Sequence, residues 1–257
     1  MRRTFLVALA LAALLTGCDA GPVTLTGQQR RLADELVGVF EHGDPAPRYD
    51  AVEALGDGRG YTCGTIGFTT SSTEVGTIVA AYVAEVSGSP LARHLPRLRE
   101  LASQGSGDTS GLDGFPEDWA TAAADPVFRA EQDALADRLA FTPALAAARR
   151  LGIRTPLGVA VLYDTAVQHG MGDDPDGLPA LIGRAGVPPP LGVPERAWLE
   201  AFLDARADTL RHPHTAATRE TWAASTDRVD ALRGLVEDGQ DQLDPPLRIE
   251  GFVLRGQ

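Results

Sequence analysis

The 257-residue chain contains no lysine, and all 23 of its Lys/Arg side chains are arginine. That absence removes Schiff-base chemistry on a lysine amine and the phosphate-binding lysine of a P-loop. Cysteine is almost absent too, being limited to Cys18 and Cys63. Two thiols cannot build a cysteine-based zinc site, and neither a metal nor an organic cofactor is expected. An excess of positive charge is also missing, because 35 acidic side chains bring the formal net charge to −12. Phosphate backbones are bound by basic patches, so nucleic acid is not an expected partner. An acidic exterior suits a cationic ligand, although many acidic proteins are simply soluble. After the first 17 residues no stretch is long and apolar enough to span a membrane.

Those first residues have their own logic. Arg2 and Arg3 precede the apolar run "TFLVALALAALL", which is followed by "TGC" ending at Cys18. A short basic segment, an apolar stretch short for a membrane span and small residues before a cut site describe an export signal. "LTGC" resembles the bacterial lipobox, which implies a signal peptide over 1–17, cleavage before Cys18 and lipidation of its thiol. An ordinary secretory signal is the alternative. A lipid at Cys18 would tether the protein to the membrane, outside the cytoplasm, without a spanning helix. Cys63 would then be the only other thiol, no intramolecular disulfide would be possible, and a small buried hydrophobe is expected there. Losing Arg2 and Arg3 takes the formal charge from −12 to −14. Residues 18–257 fit one large domain or two lobes of one domain, expected to be monomeric.

The organisation is helical. In "TGQQRRLADELVGVFEHG", Thr26 stands three residues before Gln29, the spacing of a capping box. Leu32, Leu36, Val39 and Phe40 recur at helical intervals, and the helix should stop near His42 and Gly43, because Pro45 and Pro47 follow. A second helix starts at Ser72 or Thr73, with an apolar stripe at Val75, Ile78, Val79, Tyr82, Val83 and Val86. Between them "YDAVEAL" and "YTCGTIGF" flank the turn-like "GDGRG", which reads as a small antiparallel ribbon. Helical patterns follow at 91–103, 126–139, 143–151, 156–169, 194–212 and 219–237, with a loop over 104–114 and a stiff connector over 186–194. The βαβ alternation of a solute-binding lipoprotein is absent. The fold class is therefore mainly α (α+β), with a small antiparallel sheet near the N-terminus.

Two carboxylates sit awkwardly. Glu41 ends an apolar helix, where the negative end of the helix dipole and the adjacent Phe40 both disfavour its charge, as a general acid requires. A poorly placed surface glutamate is the bland alternative. Asp57 lies between glycines in a turn that lets a ligand approach closely, and an exposed aspartate there stays ionised and can act as a base on water. Asp beside Gly is equally ordinary hairpin chemistry. Thr62, shortly afterwards, carries a hydroxyl that could hold a water for Asp57.

Taken together, a helix ending in "FE", then "GDGRGYT", "GTIGF" and an N-capped helix closely resemble glycoside hydrolase family 46, the chitosanases. Further matching blocks are "DPVFRAEQDALADRLAF" (125–141), "YDTAVQHG" (163–170), "FLDAR" (202–206), "TDRV" (226–229) and "LDPPL" (243–247). The resemblance implies a two-lobed lysozyme-like fold with a cleft between the lobes, and inverting, endo-acting hydrolysis of β-1,4-linked glucosamine in chitosan. It assigns Glu41 as general acid, Asp57 as the base that activates water, and Thr62 as a group that positions this water. It further implies that Asp164 pairs with Arg206 and Arg228 in a network that orients Glu41; a purely structural buried salt bridge is the alternative, and the two roles can coexist. Glu53, Arg59, Glu74 and His169 match residues at the substrate groove, although a lone histidine at a helix end is more often a cap.

The chain also departs from the family pattern. The loop between Glu41 and Asp57 is about two residues shorter than in well-known members, Ala51 stands where an aromatic is common, "RHPHTAAT" (211–218) reads as an insertion, and the C-terminus is short. Two other functions fit the same residues. One is a lysozyme-like hydrolase of another amino-sugar polymer, including peptidoglycan. The other is a polysaccharide-binding lipoprotein without turnover, against which the retention of both Glu41 and Asp57 argues.

Overall fold

The computed structural model describes residues 21–214 and 222–257. The signal segment 1–17 and Cys18 lie outside the described residues, as do 215–218 of the inserted stretch and the first three residues of the expected helix 219–237.

Helix α1 (Gly27–His42) starts as its sequence requires. The Thr26 hydroxyl accepts from Gln29 N and the Gln29 amide oxygen from Thr26 N, closing the capping box. It stops at Gly43, whose φ of +64° is a left-handed cap that a residue with a Cβ adopts only at a cost. The chain then folds back so closely that a Cβ at Gly38 would meet the Asp44 carbonyl at 2.8 Å. Strands β1 (Val52–Ala54), β2 (Tyr61–Cys63) and β3 (Phe68–Thr69) form an antiparallel sheet in that order. The expected two-strand ribbon thus gains a third strand. Helix α2 (Thr73–Glu85) follows, N-capped by Ser72. A 3₁₀ turn at 90–94 leads into α3 (Leu95–Gln104), and then come α4 (Phe115–Ala122) and α5 (Pro126–Ala136).

These elements enclose one core of Phe68, Val75, Ile78, Leu98, Phe115, Trp119 and Phe128, and Cys63 sits in it, fully buried. A second core lies among α1, α6 (Thr142–Leu151), α7 (Pro156–His169), α8 (Leu178–Arg184), α9 (Glu195–Arg211) and α10 (Thr226–Glu237). A hairpin of β4 (Leu247–Ile249) and β5 (Phe252–Leu254) closes its edge. Two separate cores make two lobes, and α5 runs into α6 through a π-helical turn at 137–141, so one continuous helical segment bridges them. Helix α7 is buried along nearly its whole length, which explains why "PLGVAVLYDTAVQH" is apolar around its circumference and not along one stripe.

Several elements were not expected from the sequence. Helices α4 and α8 are only 8 and 7 residues long, too short for a clear helical period. The β4–β5 hairpin is a second sheet far from the N-terminus, built from three-residue strands that carry almost no alternation. Among the described residues no helix is long and apolar enough to cross a membrane.

Candidate active site

A cleft of about 820 Å³ opens between the lobes. One wall is the C-terminal end of α1, where the left-handed cap at Gly43 leaves Phe40, Glu41 and His42 at the cleft. The facing wall is the three-stranded sheet. Its register pairs Glu53 with Thr62 and Thr62 with Thr69, so these three side chains share one face, and all three line the cleft. Val52, Cys63 and Phe68 point the other way, into the smaller core. The Thr62 hydroxyl is buried and has no hydrogen-bond partner among the described residues, an expensive arrangement unless a water or ligand completes it. Glu74 is fixed by Thr69 N, which donates to it at 3.0 Å. Glu53 is exposed and makes no ion pair among the described residues.

Glu41 sits against a guanidinium as well as beside Phe40. Arg228 Nη1 donates to Glu41 Oε1 at 2.7 Å, while Nε and Nη2 of the same arginine bind Asp164 Oδ1 at 3.0 and 2.6 Å. Arg206 Nη1 donates to the other oxygen of Asp164 at 2.7 Å. Asp164 and Arg206 are 1% and 0% exposed, so this is a charge-balanced chain of two carboxylates and two guanidiniums whose Glu41–Arg228 end lines the cleft, with Glu41 the more open of the two. Burial pushes the Asp164 carboxyl up, but Arg228 and then Arg206 outweigh it and hold the group below the usual carboxylate range. Arg206 is pulled down to about 10, chiefly by burial.

Asp57 behaves as a turn aspartate with a fixed partner. Its Oδ1 accepts from Arg59 N at 3.0 Å and its Oδ2 from Arg59 Nε at 2.8 Å. Desolvation acts upward, but the bonds and charge of Arg59 together prevail and hold the carboxyl below the usual carboxylate range, so it stays ionised. Asp57 does not itself line the cleft, whereas Arg59 does. The sequence-predicted residues therefore divide into three groups. Glu41, Glu53, Arg59, Thr62, Glu74 and Arg228 are brought together on the cleft, Asp57 lies one ion pair outside it, and Asp164 and Arg206 stand behind its wall.

His169 was expected at the substrate groove and is instead buried behind it. Its Nδ1 faces the Asp176 carbonyl at 2.9 Å and so carries the proton, leaving Nε2 without a partner among the described residues. The ring packs on Trp222 with centroids 4.7 Å apart, and Trp222 lines the cleft, so the histidine reaches it through the indole. Burial, and then Arg206, pull its pKa down to about 3. Above pH 6.5 this ring is neutral in both folded and unfolded chains; below it the unfolded chain takes up a proton that the folded ring refuses until about 3. Stability should therefore fall as pH drops through that window, by up to ~1.4 kcal/mol per unit from this group. Denaturant melts of wild type and His169→Gln at pH 7 and pH 5 check this: the variant should show the smaller difference, and equal differences would remove the assignment.

Gln168, Ser225 and Trp222 were not singled out from the sequence. Arg206 Nη2 donates to Gln168 Oε1 at 2.6 Å, Gln168 Nε2 to Ser225 Oγ at 2.9 Å, and Ser225 Oγ to the Trp222 carbonyl at 2.9 Å. The arginine network thus returns to the cleft at a second place. Gln168 was findable in principle, since it lies one helical turn after Asp164 on the same face of α7. Elsewhere on the cleft, Ala51 offers a methyl group where the resemblance led one to expect an aromatic ring.

Comparisons with known proteins agree with this geometry. The family model for glycosyl hydrolase family 46 matches residues 35–247. The chitosanase of Bacillus subtilis (strain 168) is 43% identical over 240 residues, covering 90% of this chain and 87% of that one. The chitosanase of Streptomyces sp. (strain N174) is 36% identical over 240 residues, covering 91% and 83%. Among solved structures, a family 46 chitosanase of Gynuella sunshinyii in complex with chitotetraose superposes with a TM-score of 0.84 at 43% identity, covering 90% of this chain and 98% of that one. A mutant chitosanase of Bacillus subtilis MY002 complexed with 6 GlcN gives 0.85 at 41% identity, covering 90% and 100%.

Proposed function

The chain belongs to glycosyl hydrolase family 46, with the lysozyme-like fold and the chitosanase activity of that family, and we propose that it is an endo-acting, inverting chitosanase held outside the cytoplasmic membrane by a lipid on Cys18. The observation that carries the chemical part is the cleft itself. Glu41 lies on one wall, and the Arg59–Asp57 pair, Thr62, Glu53 and Glu74 stand on or behind the other. Because one chain supplies both walls, a monomer suffices.

In this reading Glu41 delivers a proton to the glycosidic oxygen from one side of the sugar. Asp57, kept ionised by Arg59, activates a water on the opposite side. That water takes the bond which the buried Thr62 hydroxyl lacks. Inverting enzymes hold their two carboxyls roughly 6.5–9.5 Å apart to admit the water, and a carboxylate on one wall facing another held just behind the opposite wall suits that requirement. Asp57 Oδ1 accepts a single bond here, from Arg59 N, and so keeps a lone pair for the water. Glucosamine units carry ammonium groups, for which the unpaired Glu53 and the Glu74 carboxylate are fitting partners. The cleft is lined from both lobes, an arrangement that accords with a polymer lying across it and being cut within the chain.

Proton NMR during hydrolysis of chitosan is the test. The first reducing ends released should be α-anomers, from β-linked substrate, and the product mixture should contain oligomers from the outset. Initial β-anomers would overturn inversion, and release of monomer alone would overturn endo action. Equal turnover of peptidoglycan or chitin would move the substrate assignment to another amino-sugar polymer.

A further inference from the structure

We propose that the corner of the larger lobe where α6 ends and α7 begins is the membrane-facing surface of this protein, docked on anionic phospholipid headgroups, with the cleft standing at the opposite end of the lobe. The inference rests on the lipid-anchor reading of Cys18 and adds to it a surface and an orientation.

The tether is short and its landing point is fixed. Val23 is buried in the larger core, and its carbonyl accepts from Arg149 Nε at 3.0 Å at the C-terminal end of α6. Cys18 precedes Val23 by five residues, which span at most about 18 Å even when fully extended. A bilayer holding a lipid on Cys18 therefore lies close to the end of α6.

That end has the charge to meet it. Arg149, Arg150 and Arg154 are all exposed and fall within six residues. No aspartate or glutamate occurs from 138 to 163 in a chain that carries 35 acidic side chains. Among the described residues two acidic residues from other elements hydrogen-bond to this corner, and Asp19 of the tether adds one more carboxylate to the chain here. Glu195 turns its carboxylate inward, accepting from Arg154 N, Thr155 N and the Thr155 hydroxyl. Asp241 meets Leu157 N through its backbone carbonyl. The corner is thus locally basic on an acidic protein, the match expected for a negatively charged lipid surface.

Two helices then set the direction. Thr26, three residues after Val23, caps the start of α1, and α7 starts at Pro156 just past the arginines. The Gln240–Leu243 segment touches both starts, taking Gln29 Nε2 on Gln242 O and Leu157 N on Asp241 O. Both helices finish at the cleft, α1 with Glu41 and α7 with Gln168. Their lengths of 16 and 14 residues correspond to about 24 and 21 Å. The cleft accordingly stands some two Debye lengths above the headgroups, where surface charge is screened and a polymer arriving from outside meets it unobstructed.

Hydrogen–deuterium exchange tests this on the mature chain, residues 18–257, coupled through Cys18 to a maleimide lipid in vesicles of phosphatidylglycerol and phosphatidylcholine. Cys63 is buried and does not compete for the coupling. Relative to free protein, exchange over residues 145–155 should slow at least about threefold, while 52–62 at the cleft stays unchanged. Arg150→Glu should remove the slowing, Arg154→Gln should weaken it, and both should retain chitosanase activity. Slowing at the cleft, no slowing anywhere, or equal slowing on pure phosphatidylcholine would each overturn the orientation. The mass of Cys18 in protein recovered from cells is a separate readout: an unmodified thiol would remove the anchor reading, whereas the chemically coupled sample tests the surface regardless.

Discussion

Replacing Glu41 with glutamine should lower kcat on chitosan on the order of 10³-fold while leaving the chain folded and KM little changed. The substitution removes the transferable proton and almost nothing else. Glutamine has the same shape, and its amide oxygen still accepts the bond that Arg228 Nη1 now makes at 2.7 Å. Arg228 keeps three contacts to Asp164, so its charge is not stranded. Glu41 is 22% exposed, and the lost ion pair should cost on the order of 1 kcal/mol, a shift of a few degrees in Tm. The loss must appear in kcat, because an acid acts on the bond being broken and not on the sugars that hold the chain in place. Steady-state kinetics with a thermal melt on the same preparation decide the point. Unchanged turnover would move the acid elsewhere, and the cleft offers Glu53 and Glu74 as the residues to examine next.

How much of this arrangement could be read from the sequence follows the range of each signal. The ends of α1 are local chemistry, and Thr26, Gln29 and Gly43 behave as their spacing dictates. The sheet was visible because glycines mark its turns, and Gly60, at φ +78°, packs where a Cβ would lie 2.2 Å from the Thr70 hydroxyl. Short elements were lost, since α8 and the three-residue strands of the C-terminal hairpin hold less than one clear period. The bridge between lobes was read as two patterns, 126–139 and 143–151, whereas Pro143 in a first helical turn follows the π-helical turn without a break. In the site, Glu41 and Asp57 stood out through their local settings, while Arg206 and Arg228 came from resemblance alone. Their partner is 42 and 64 residues away along the chain, a separation no local pattern encodes. His169 shows the limit most plainly, because a sequence neighbour of the cleft need not face it when an indole from another segment lies in between.

The largest effect on stability should come from Asp164→Ala, at about 3–5 kcal/mol. Asp164 is the shared acceptor of two guanidiniums that are 0% and 5% exposed, and alanine leaves both with only Glu41 as counter-ion among the described residues. Arg206 suffers most, since its Nε already lacks a partner among the described residues and burial already weakens its hold on the proton. Asp164→Asn keeps an acceptor but not the charge and should fall between wild type and alanine. Burial raises the Asp164 carboxyl and the two arginines lower it further than burial lifts it, so its contribution is present above the ordinary value of 3.8 and is lost as pH falls through the depressed folded value. The alanine penalty should therefore be full at pH 7 and shrink on approaching pH 3. A network serving only the fold would leave kcat of the folded Asp164→Asn variant unchanged. One that also positions Glu41 through Arg228 should lower kcat on the order of tenfold or more at unchanged KM, because the Arg228 atoms that bind Asp164 fix the one that holds the acid. Measuring both quantities well below the variant's melting point separates the two roles.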